Sequence, residues 1–212
     1  MCRRNTSKVS KLMLFKNLPD QAPFQLFEQY YQDAENNNQP IAEAGCISSV
    51  DKDGKPHSRF VNFKYFFEDN LIFFSSYSSN KAEDFKLNQN VAINFWWSNT
   101  NVQIRLEGQI SKCSVKFSDE HFYGREIGKN IAAIVSNQSR EIESYEVLEA
   151  KYEKIKSDIE EGRIDEIRPE DWGGFQISVS YFEFWEANND RLNYRECYSL
   201  EQGEWRKFFL QS

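Results

Sequence analysis

The stretch RFVNFKYFFEDNLIFFSSYSSNK, residues 59–81, contains two runs rich in aromatic residues on either side of a polar turn. The turn, Glu68-Asp69-Asn70, predicts a β-hairpin because two such runs joined by a short polar turn tend to pair. A serine-rich turn, residues 75–79, follows the second run and leads into KAEDFKLNQN, a predicted short helix. Asn80 and Glu83 have the spacing of an N-cap and its capping-box partner.

The end of this hairpin brings together hydroxyl groups, a helix N-terminus and the ammonium group of Lys81. Free backbone N–H groups and the positive end of a helix dipole bind anions. We therefore predict a phosphate cradle at residues 75–81. An ordinary capped turn is the alternative interpretation.

The composition favours one β-rich domain with a large core. The 212 residues are 40% hydrophobic and 16% aromatic, with 18 Phe, 10 Tyr and 5 Trp, which suits sheets more than helical bundles. The sequence shows neither internal repeats nor a linker, so we expect a single domain over residues 20–212. A formal net charge of -7 argues against nucleic-acid binding through a basic face, but it allows a basic pocket for one small anion.

The cysteines and histidines argue against a metal site. Cys2, Cys46, Cys113 and Cys197 form no CxxC pair, which predicts free thiols in a reducing compartment and hence a cytoplasmic protein. Two histidines cannot build a histidine-rich metal site, and the D-x-D-G sequence at 51–54 lacks the bidentate Glu of a calcium loop. No apolar run approaches the ~20 residues that span a bilayer, so we expect no membrane contact.

The N-terminal segment, residues 1–19, contains five basic residues and no acid. We predict a flexible arm there. An organelle-targeting peptide and an arm that covers the substrate are the alternatives, whereas the apolar piece at 12–15 is too short for a signal peptide.

The remaining pattern predicts alternating strands and helices. The predicted helices are 20–32, 144–161 and a segment from Ser118 to Ser139, which Ser118 is predicted to cap and which its two glycines divide. The predicted strands are 44–50, 59–67, 91–97, 102–110, 175–185 and 205–210. Composition predicts that strand 91–97 is buried on both sides, and Trp172-Gly173-Gly174 is predicted as a tight turn.

Two basic sets stand out besides Lys81. Arg59 and Lys64 are five residues apart, so a regular strand points them to opposite faces, and only a bulge or a second subunit makes them partners. His121, Arg125 and Lys129 are four apart and predict a cationic cluster on one helical face. A solvated helix face is the alternative.

A third set lies near the C-terminus. Arg191, Asn193 and Arg195 alternate with apolar neighbours, which predicts two guanidinium groups and an amide on one strand face. Arginine is the side chain best shaped for a bidentate grip on phosphate.

The chain resembles the pyridoxamine 5'-phosphate oxidase family of FMN-dependent enzymes from about Phe24 to Trp205. The fragments that carry the resemblance are, in chain order, Arg59-Phe60-Val61 with Lys64, Ser79-Asn80-Lys81, Gln103 with Glu107-Gly108, Ser136-Asn137-Gln138-Ser139, Trp172-Gly173-Gly174-Phe175, and Glu183-Phe184-Trp185 followed by Arg191-Leu192 and Arg195.

This resemblance implies a mainly β (α+β) fold, namely an antiparallel split β-barrel of Greek-key type with flanking helices. It also implies a homodimer with FMN at the subunit interface. The positions that match FMN contacts are Arg59, Phe60, Val61, Asn62, Phe63, Lys64, Phe74, Ser75, Lys81, Gln103, Gln138, Ser139, Trp185 and Arg195. The positions that match contacts to a phosphorylated small-molecule substrate are Lys64, His121, Arg125, Lys129, Arg191 and Asn193, of which Arg191 and Asn193 are the catalytic candidates.

The chain departs from the family pattern mainly at the substrate positions. Asn80 stands where the family usually has Arg, His121 where it has Tyr, and Lys129 where it has Ser. The Arg-x-His of the family is here Arg191-Leu192-Asn193, and Phe209-Leu210-Gln211-Ser212 replaces a terminal Arg-Leu-Ala-Pro. An asparagine can donate and accept hydrogen bonds but cannot carry a proton charge.

Three functions follow from this resemblance. The first is an oxidase that makes pyridoxal 5'-phosphate from pyridoxine or pyridoxamine 5'-phosphate with O2 as the acceptor. The second is an FMN-dependent oxidase of another ring substrate, such as a reduced phenazine. The third is a protein that binds flavin or pyridoxal phosphate without turnover.

Overall fold

The computed structural model describes residues 12–212. Within them nine strands form one sheet and five helices flank it. The strands are β1 Leu14–Lys16, β2 Ala44–Val50, β3 Pro56–Phe67, β4 Asn70–Ser76, β5 Asn90–Trp97, β6 Val102–Lys112, β7 Trp172–Glu186, β8 Tyr194–Glu201 and β9 Glu204–Phe209. The helices are α1 Ala22–Asn36, α2 Asn80–Leu87, α3 Val115–Gly124, α4 Ile127–Val135 and α5 Tyr145–Glu160.

Six strands close into a barrel. The order β3-β2-β5-β6-β7 is completed by β4, which pairs antiparallel with both β7 and β3. β8 and β9 extend the sheet beyond β7, and β1 adds a parallel strand to β3. The predicted hairpin is therefore β3–β4, and the predicted split-barrel class is confirmed.

Aromatic side chains fill the barrel, and α1 closes one end of it. Phe27 of α1 is fully buried, with its ring centroid 5.3 Å from that of Phe66 and 5.5 Å from that of Phe95. Trp97 is also buried, and its indole N–H donates to the carbonyl of Ala42 at 3.0 Å. This packing explains the high aromatic content, because each ring buries a large apolar area.

Strand β5 alternates between the core and the outside, so the prediction that both its faces are buried was wrong. Val91, Ile93 and Phe95 face the core, whereas Ala92 and Trp96 are exposed. The composition of the strand suggested two buried faces because the outer face also carries an aromatic residue, Trp96.

Two predicted helix caps were wrong. Helix α2 begins after Ser79, not Asn80, and no side chain caps it, so Asn80 and Glu83 form no capping box. The hydroxyl of Ser79 donates instead to the carbonyl of Ser76 at 2.8 Å. Ser114, not Ser118, caps α3, because the Ser118 hydroxyl lies inside the fold.

The predicted Trp172-Gly173-Gly174 turn was also wrong, since these residues begin β7. Their glycines serve close packing. A Cβ on Gly173 would lie 2.2 Å from the Tyr77 hydroxyl oxygen, and one on Gly174 would lie 2.7 Å from Cys113 Sγ. The strand can therefore pass these side chains only where no Cβ is present.

The predicted flexible arm, residues 1–19, needs a narrower boundary. Residues 1–11 lie outside the described part of the chain, but Leu14–Lys16 pairs with Tyr65–Phe67. Met13 is 3% exposed, and its backbone N–H donates to the Tyr31 hydroxyl at 2.9 Å. The end of this segment thus belongs to the folded core.

Gly108 supplies a test of the barrel packing. It lies where the β6–β7 register shifts, and a Cβ there would lie 2.2 Å from the backbone carbonyl oxygen of Ser178. Because a paired backbone cannot move aside cheaply, we expect Gly108→Ala to lower the free energy of unfolding by about 1–3 kcal/mol in urea titrations. Gly124→Ala is the matched control, since a Cβ there meets nothing within 4 Å. Equal losses for the two variants would contradict this packing.

Two further findings concern the described residues. None of their helices is long and apolar enough to cross a membrane. Cys46, Cys113 and Cys197 are free thiols, and the latter two are buried.

Candidate active site

A cavity of about 1020 Å³ lies between the β3–β4 hairpin, the start of α2, the α3–α4 region and the segment after α4. Most of the predicted site residues line it: Arg59, Phe60, Val61, Asn62, Lys64, Phe74, Ser75, Lys81, His121, Arg125, Lys129, Gln138 and Ser139. Ile41, Glu43, His57 and Asn80 complete the wall.

One end of the cavity holds a buried ammonium group. Lys81 is 8% exposed, and its Nζ donates to the hydroxyl of Ser79 at 3.2 Å. Burial and the nearby charge of Arg59 lower the pKa of Lys81 to about 8. A cation that is both desolvated and repelled by a second cation is stabilised by a bound anion.

The serine-rich turn contributes the other donors at this end. Gln138 Oε1 accepts hydrogen bonds from the Ser75 hydroxyl at 2.8 Å and from the Ser76 backbone N–H at 3.1 Å. The segment after α4 therefore docks onto the predicted phosphate cradle. Because Gln138 accepts the single hydrogens of the Ser75 hydroxyl and the Ser76 N–H, the ammonium group of Lys81 is the donor of this set that remains for a phosphate.

Arg59 and Lys64 line the same cavity although regular strand geometry would separate them. The β3–β4 register shifts between Phe63 and Tyr65, which is the bulge that their spacing required. Each cation contacts a buried acid: Arg59 Nη2 lies 3.6 Å from Asp84 Oδ2, and Lys64 Nζ lies 3.2 Å from Glu43 Oε1.

The second basic set reaches the cavity from separate elements. His121 belongs to α3, Arg125 follows α3, and Lys129 belongs to α4, so the prediction of a single helical face was wrong. All three nevertheless line the cavity.

His121 contributes polarity without charge at neutral pH. Its ring stacks on Phe74, and its Nδ1 lies 3.0 Å from the Tyr65 hydroxyl. Burial, followed by the charge of Arg125, lowers the pKa of His121 to about 3. The predicted cationic cluster therefore contains a neutral imidazole beside Arg125 and Lys129.

Arg125 is held rigidly and still has a donor to spare. Its guanidinium carbon lies 4.0 Å from the ring centre of Trp172, and its Nε donates to Asn130. Among the described residues its buried Nη2 finds no hydrogen-bond partner. Burial lowers the pKa of Arg125 to about 10, so the group remains a cation near pH 7. A buried N–H without a partner costs free energy that a bound anion recovers.

Four predicted cofactor residues do not line this cavity: Phe63, which lies in the core, and three residues that form a row across the sheet. Gln103 of β6 pairs with Trp185 of β7, and Trp185 pairs with Arg195 of β8. Trp96 flanks the row, with its ring centroid 6.3 Å from that of Trp185. Within one chain the predicted FMN contacts thus form two separate groups.

Three more predictions need correction or relocation. Phe63 has no exposed surface and packs against Phe73 and Phe95, so its side chain belongs to the core. Arg191 and Asn193 precede β8 in an exposed turn, so they do not share a strand face with Arg195. Arg191 has a φ of 60°, which non-glycine residues seldom adopt and which recurs at functional sites.

Three acids that contact the site's cations were not among the predicted site residues. Glu43, Asp84 and Glu183 are buried and contact Lys64, Arg59 and Arg195 respectively. Each acid is distant from its partner in sequence, so no helical or strand spacing relates the two. Glu183 stood in a fragment that carries the family resemblance and Asp84 in a helix, whereas Glu43 precedes β2 and gave no signal.

Comparison with known proteins identifies the family. The family profile described as pyridoxamine 5'-phosphate oxidase matches residues 37–157, and the profile described as pyridoxine 5'-phosphate oxidase C-terminal dimerisation region matches residues 172–212. A pyridoxine/pyridoxamine 5'-phosphate oxidase of Hydrogenovibrio crunogenus is 34% identical over 194 residues, covering 92% of this chain and 90% of the relative. Another, from Nostoc punctiforme, is 36% identical over 188 residues, covering 88% and 87%.

Solved structures show the same fold. PhzG from Burkholderia lata, in complex with tetrahydrophenazine-1-carboxylic acid, matches with a TM-score of 0.85 at 23% identity, over 92% of this chain and 94% of that chain. A pyridoxamine 5'-phosphate oxidase-related, FMN-binding protein from Nostoc punctiforme matches with a TM-score of 0.72 at 17% identity, over 92% and 100%.

The residues of the cavity fit FMN. The flavin phosphate requires an anion site, and the buried ammonium of Lys81, which gives only one of its three N–H groups to Ser79, supplies one. With these matches over most of its length, the chain belongs to the pyridoxamine 5'-phosphate oxidase family and is an FMN-binding oxidoreductase.

Proposed function

We propose that this protein oxidises pyridoxine or pyridoxamine 5'-phosphate to pyridoxal 5'-phosphate, with O2 as the acceptor and hydrogen peroxide as a product. With the pyridoxamine substrate, water supplies the aldehyde oxygen and the amine leaves as ammonia. The names of its relatives support this substrate class. The observation that carries the proposal is Arg125, a cation that lines the cavity and whose buried Nη2 has no hydrogen-bond partner among the described residues. A phosphorylated substrate supplies the anion that this donor lacks.

In this proposal the cavity has a cofactor end and a substrate end. The residues that would hold the FMN phosphate are Arg59, Lys81, Ser75, Gln138 and Ser139, all of which line the cavity. When bound, FMN supplies the hydride acceptor and reacts with oxygen.

At the substrate end, Lys64, Arg125 and Lys129 bind the substrate phosphate by charge, and His121 donates as a neutral imidazole. Their fixed positions orient the substrate ring before the reaction. This lowers the entropic part of the activation free energy. Arg191 would contact the reacting end of the substrate, and Asn193 would hydrogen-bond beside it.

We further propose that two copies of the chain form a homodimer and share each site. Gln103, Trp185, Arg195, Arg191 and Asn193 would reach the cavity from the second copy, because none of them lines it within one chain. Phe60, on the cavity wall, is 72% exposed, and Trp96, beside Trp185, is 49% exposed, which suits an interface. The free thiols agree with a cytoplasmic location.

A second candidate substrate is another reduced ring, such as a phenazine. The neutral His121 and the uncharged Asn193 favour this alternative, since they alter the end of the site that would hold the substrate.

Oxygen consumption by the FMN-loaded protein tests the choice. We expect consumption and aldehyde formation with pyridoxine or pyridoxamine 5'-phosphate. Activity with a reduced phenazine alone would replace the first function by the second. If none of the three compounds causes oxygen consumption, the protein binds flavin without turnover.

The pKa of Lys81 predicts opposite effects of pH on binding and on stability. The free protein loses this charge above about pH 8, while the FMN phosphate keeps its charge, so we expect FMN affinity to fall by up to about tenfold per pH unit above that point. In the unfolded chain the lysine pKa is about 10.4, so the unfolded state binds more protons from pH 8 to 10, and apoprotein stability should rise there.

Flavin fluorescence titrations and urea unfolding between pH 7 and pH 9.5 measure the two effects. Lys81→Arg is the control, because a guanidinium keeps its charge over this range, and it should show neither trend. A wild-type FMN affinity that is constant from pH 7 to pH 9.5 would contradict the placement of Lys81 at the phosphate.

A further inference from the structure

A buried carboxylate lies behind the row of residues on β6–β8. Glu183 of β7 is 2% exposed. Its Oε1 accepts from Arg195 Nε at 2.8 Å and from Arg195 Nη2 at 2.6 Å. Its Oε2 accepts from Arg105 Nη1 at 2.8 Å and from the Tyr181 hydroxyl at 3.1 Å. One carboxylate thus joins two guanidinium groups.

The sheet register explains why Glu183 controls Arg195. Arg195 pairs directly with Trp185, two residues along β7 on the same face as Glu183. Its side chain therefore reaches Glu183 along the diagonal of the strand pair. Besides these bonds, Arg195 Nη1 donates to the carbonyl of Gln211 at 2.9 Å. One N–H on each terminal nitrogen then remains for a ligand.

The same arrangement recurs at the other cofactor cations. The described residues contain four buried carboxylates, and three of them contact a predicted cofactor cation: Glu43 with Lys64, Asp84 with Arg59, and Glu183 with Arg195. The fourth, Glu196, pairs instead with Lys207 and with Tyr194 and Tyr198. Burial of acids in this protein is therefore coupled to the placement of site cations.

We propose that Glu183 is a positioning residue for the flavin site, which fixes the guanidinium of Arg195 in the direction from which it meets FMN. The inference rests on the proposed role of Arg195. Without the carboxylate, Arg195 would lose its acidic partner and face the like charge of Arg105, which keeps Glu107, so Arg195 would turn away. Hydrogen bonds between charged groups are strong and geometrically specific. The loss of those between Glu183 and Arg195 should therefore weaken the contact of Arg195 with FMN.

Flavin fluorescence titration of Glu183→Gln tests the proposal. We expect FMN affinity to fall by about tenfold or more, the loss typical of one charge-assisted hydrogen bond. Glu196→Gln is the matched control, a buried acid of the adjacent strand that contacts other groups, and it should keep wild-type FMN affinity. Thermal unfolding of both apoproteins shows whether each variant is folded at the titration temperature.

A double-mutant cycle with Arg195→Ala separates positioning from general destabilisation. If Glu183 acts through Arg195, adding Glu183→Gln to Arg195→Ala should weaken FMN binding by less than about twofold further. Fully additive losses, or wild-type affinity in Glu183→Gln, would overturn the inference. Wild-type FMN affinity in Arg195→Ala would instead overturn the proposed role of Arg195, so the two failures are distinguishable.

Discussion

Lys81→Ala is expected to weaken FMN binding about ten- to a hundredfold, which is the loss of one charge-assisted hydrogen bond. The ammonium group is buried at the phosphate end of the cavity and has the Ser79 hydroxyl as its hydrogen-bond acceptor. Lys81 lies away from the reacting atoms in the proposed site. Turnover should therefore largely recover when FMN is added to saturation.

Lys86→Ala is the control for this prediction. Lys86 lies on the same helix, but it is exposed and pairs with Glu83 at the surface. Its loss should leave FMN affinity unchanged, because exposed ion pairs contribute little. An FMN dissociation constant that is the same in Lys81→Ala as in the wild type would contradict the phosphate cradle.

Arg191→Ala is expected to lower turnover on the order of a hundred- to a thousandfold, the cost of removing a donor that acts mainly in the transition state. FMN affinity should stay near the wild-type value, and excess FMN should not restore the rate. The proposal places Arg191 over the substrate and away from the flavin phosphate. Arg191 lies in an exposed turn, so we expect its replacement to leave the fold unchanged.

Arg206→Ala is the control for Arg191, since Arg206 is also exposed near the C-terminus but pairs with Glu201. It should have wild-type turnover. Single-turnover reduction of the flavin and FMN titration on the same samples provide the measurement. If Arg191→Ala loses FMN as severely as Lys81→Ala does, the division into a phosphate end and a chemical end is wrong.

Local signals in the sequence predicted much of the barrel. The hairpin turn at 68–70 and strand 44–50 were found where the structure has them, because β-rich runs between polar turns define strands. The closure of six strands into a barrel came from the family resemblance. Pairing between β4 and β7 joins residues a hundred positions apart, and no local pattern encodes it.

Side-chain environments could not be predicted in the same way. The charge of His121 depends on its burial against Phe74 and on Arg125, which α3 and the following segment bring together only in the fold. Ser118 reads as a cap, yet its hydroxyl accepts from the backbone of Gly174 on a distant strand. Gly173 and Gly174 were predicted as a turn because the sequence does not show that they pack against Tyr77 and Cys113.

The central claim is that each FMN site combines the Lys81 cavity of one chain with the Arg195 row of another. Two defective variants test it directly, since Lys81→Ala damages the first part and Arg195→Ala the second. A heterodimer of the two contains one intact site and one doubly damaged site. Homodimers of either variant contain no intact site.

The measurement is FMN binding by a refolded equimolar mixture of Lys81→Ala and Arg195→Ala chains, at an FMN concentration that neither variant binds alone. Random pairing makes half of the dimers mixed, so we expect about one quarter of the sites to bind FMN with wild-type affinity. A mixture that binds no more FMN than the separate variants would contradict the shared site and would place both groups of residues in sites built by a single chain.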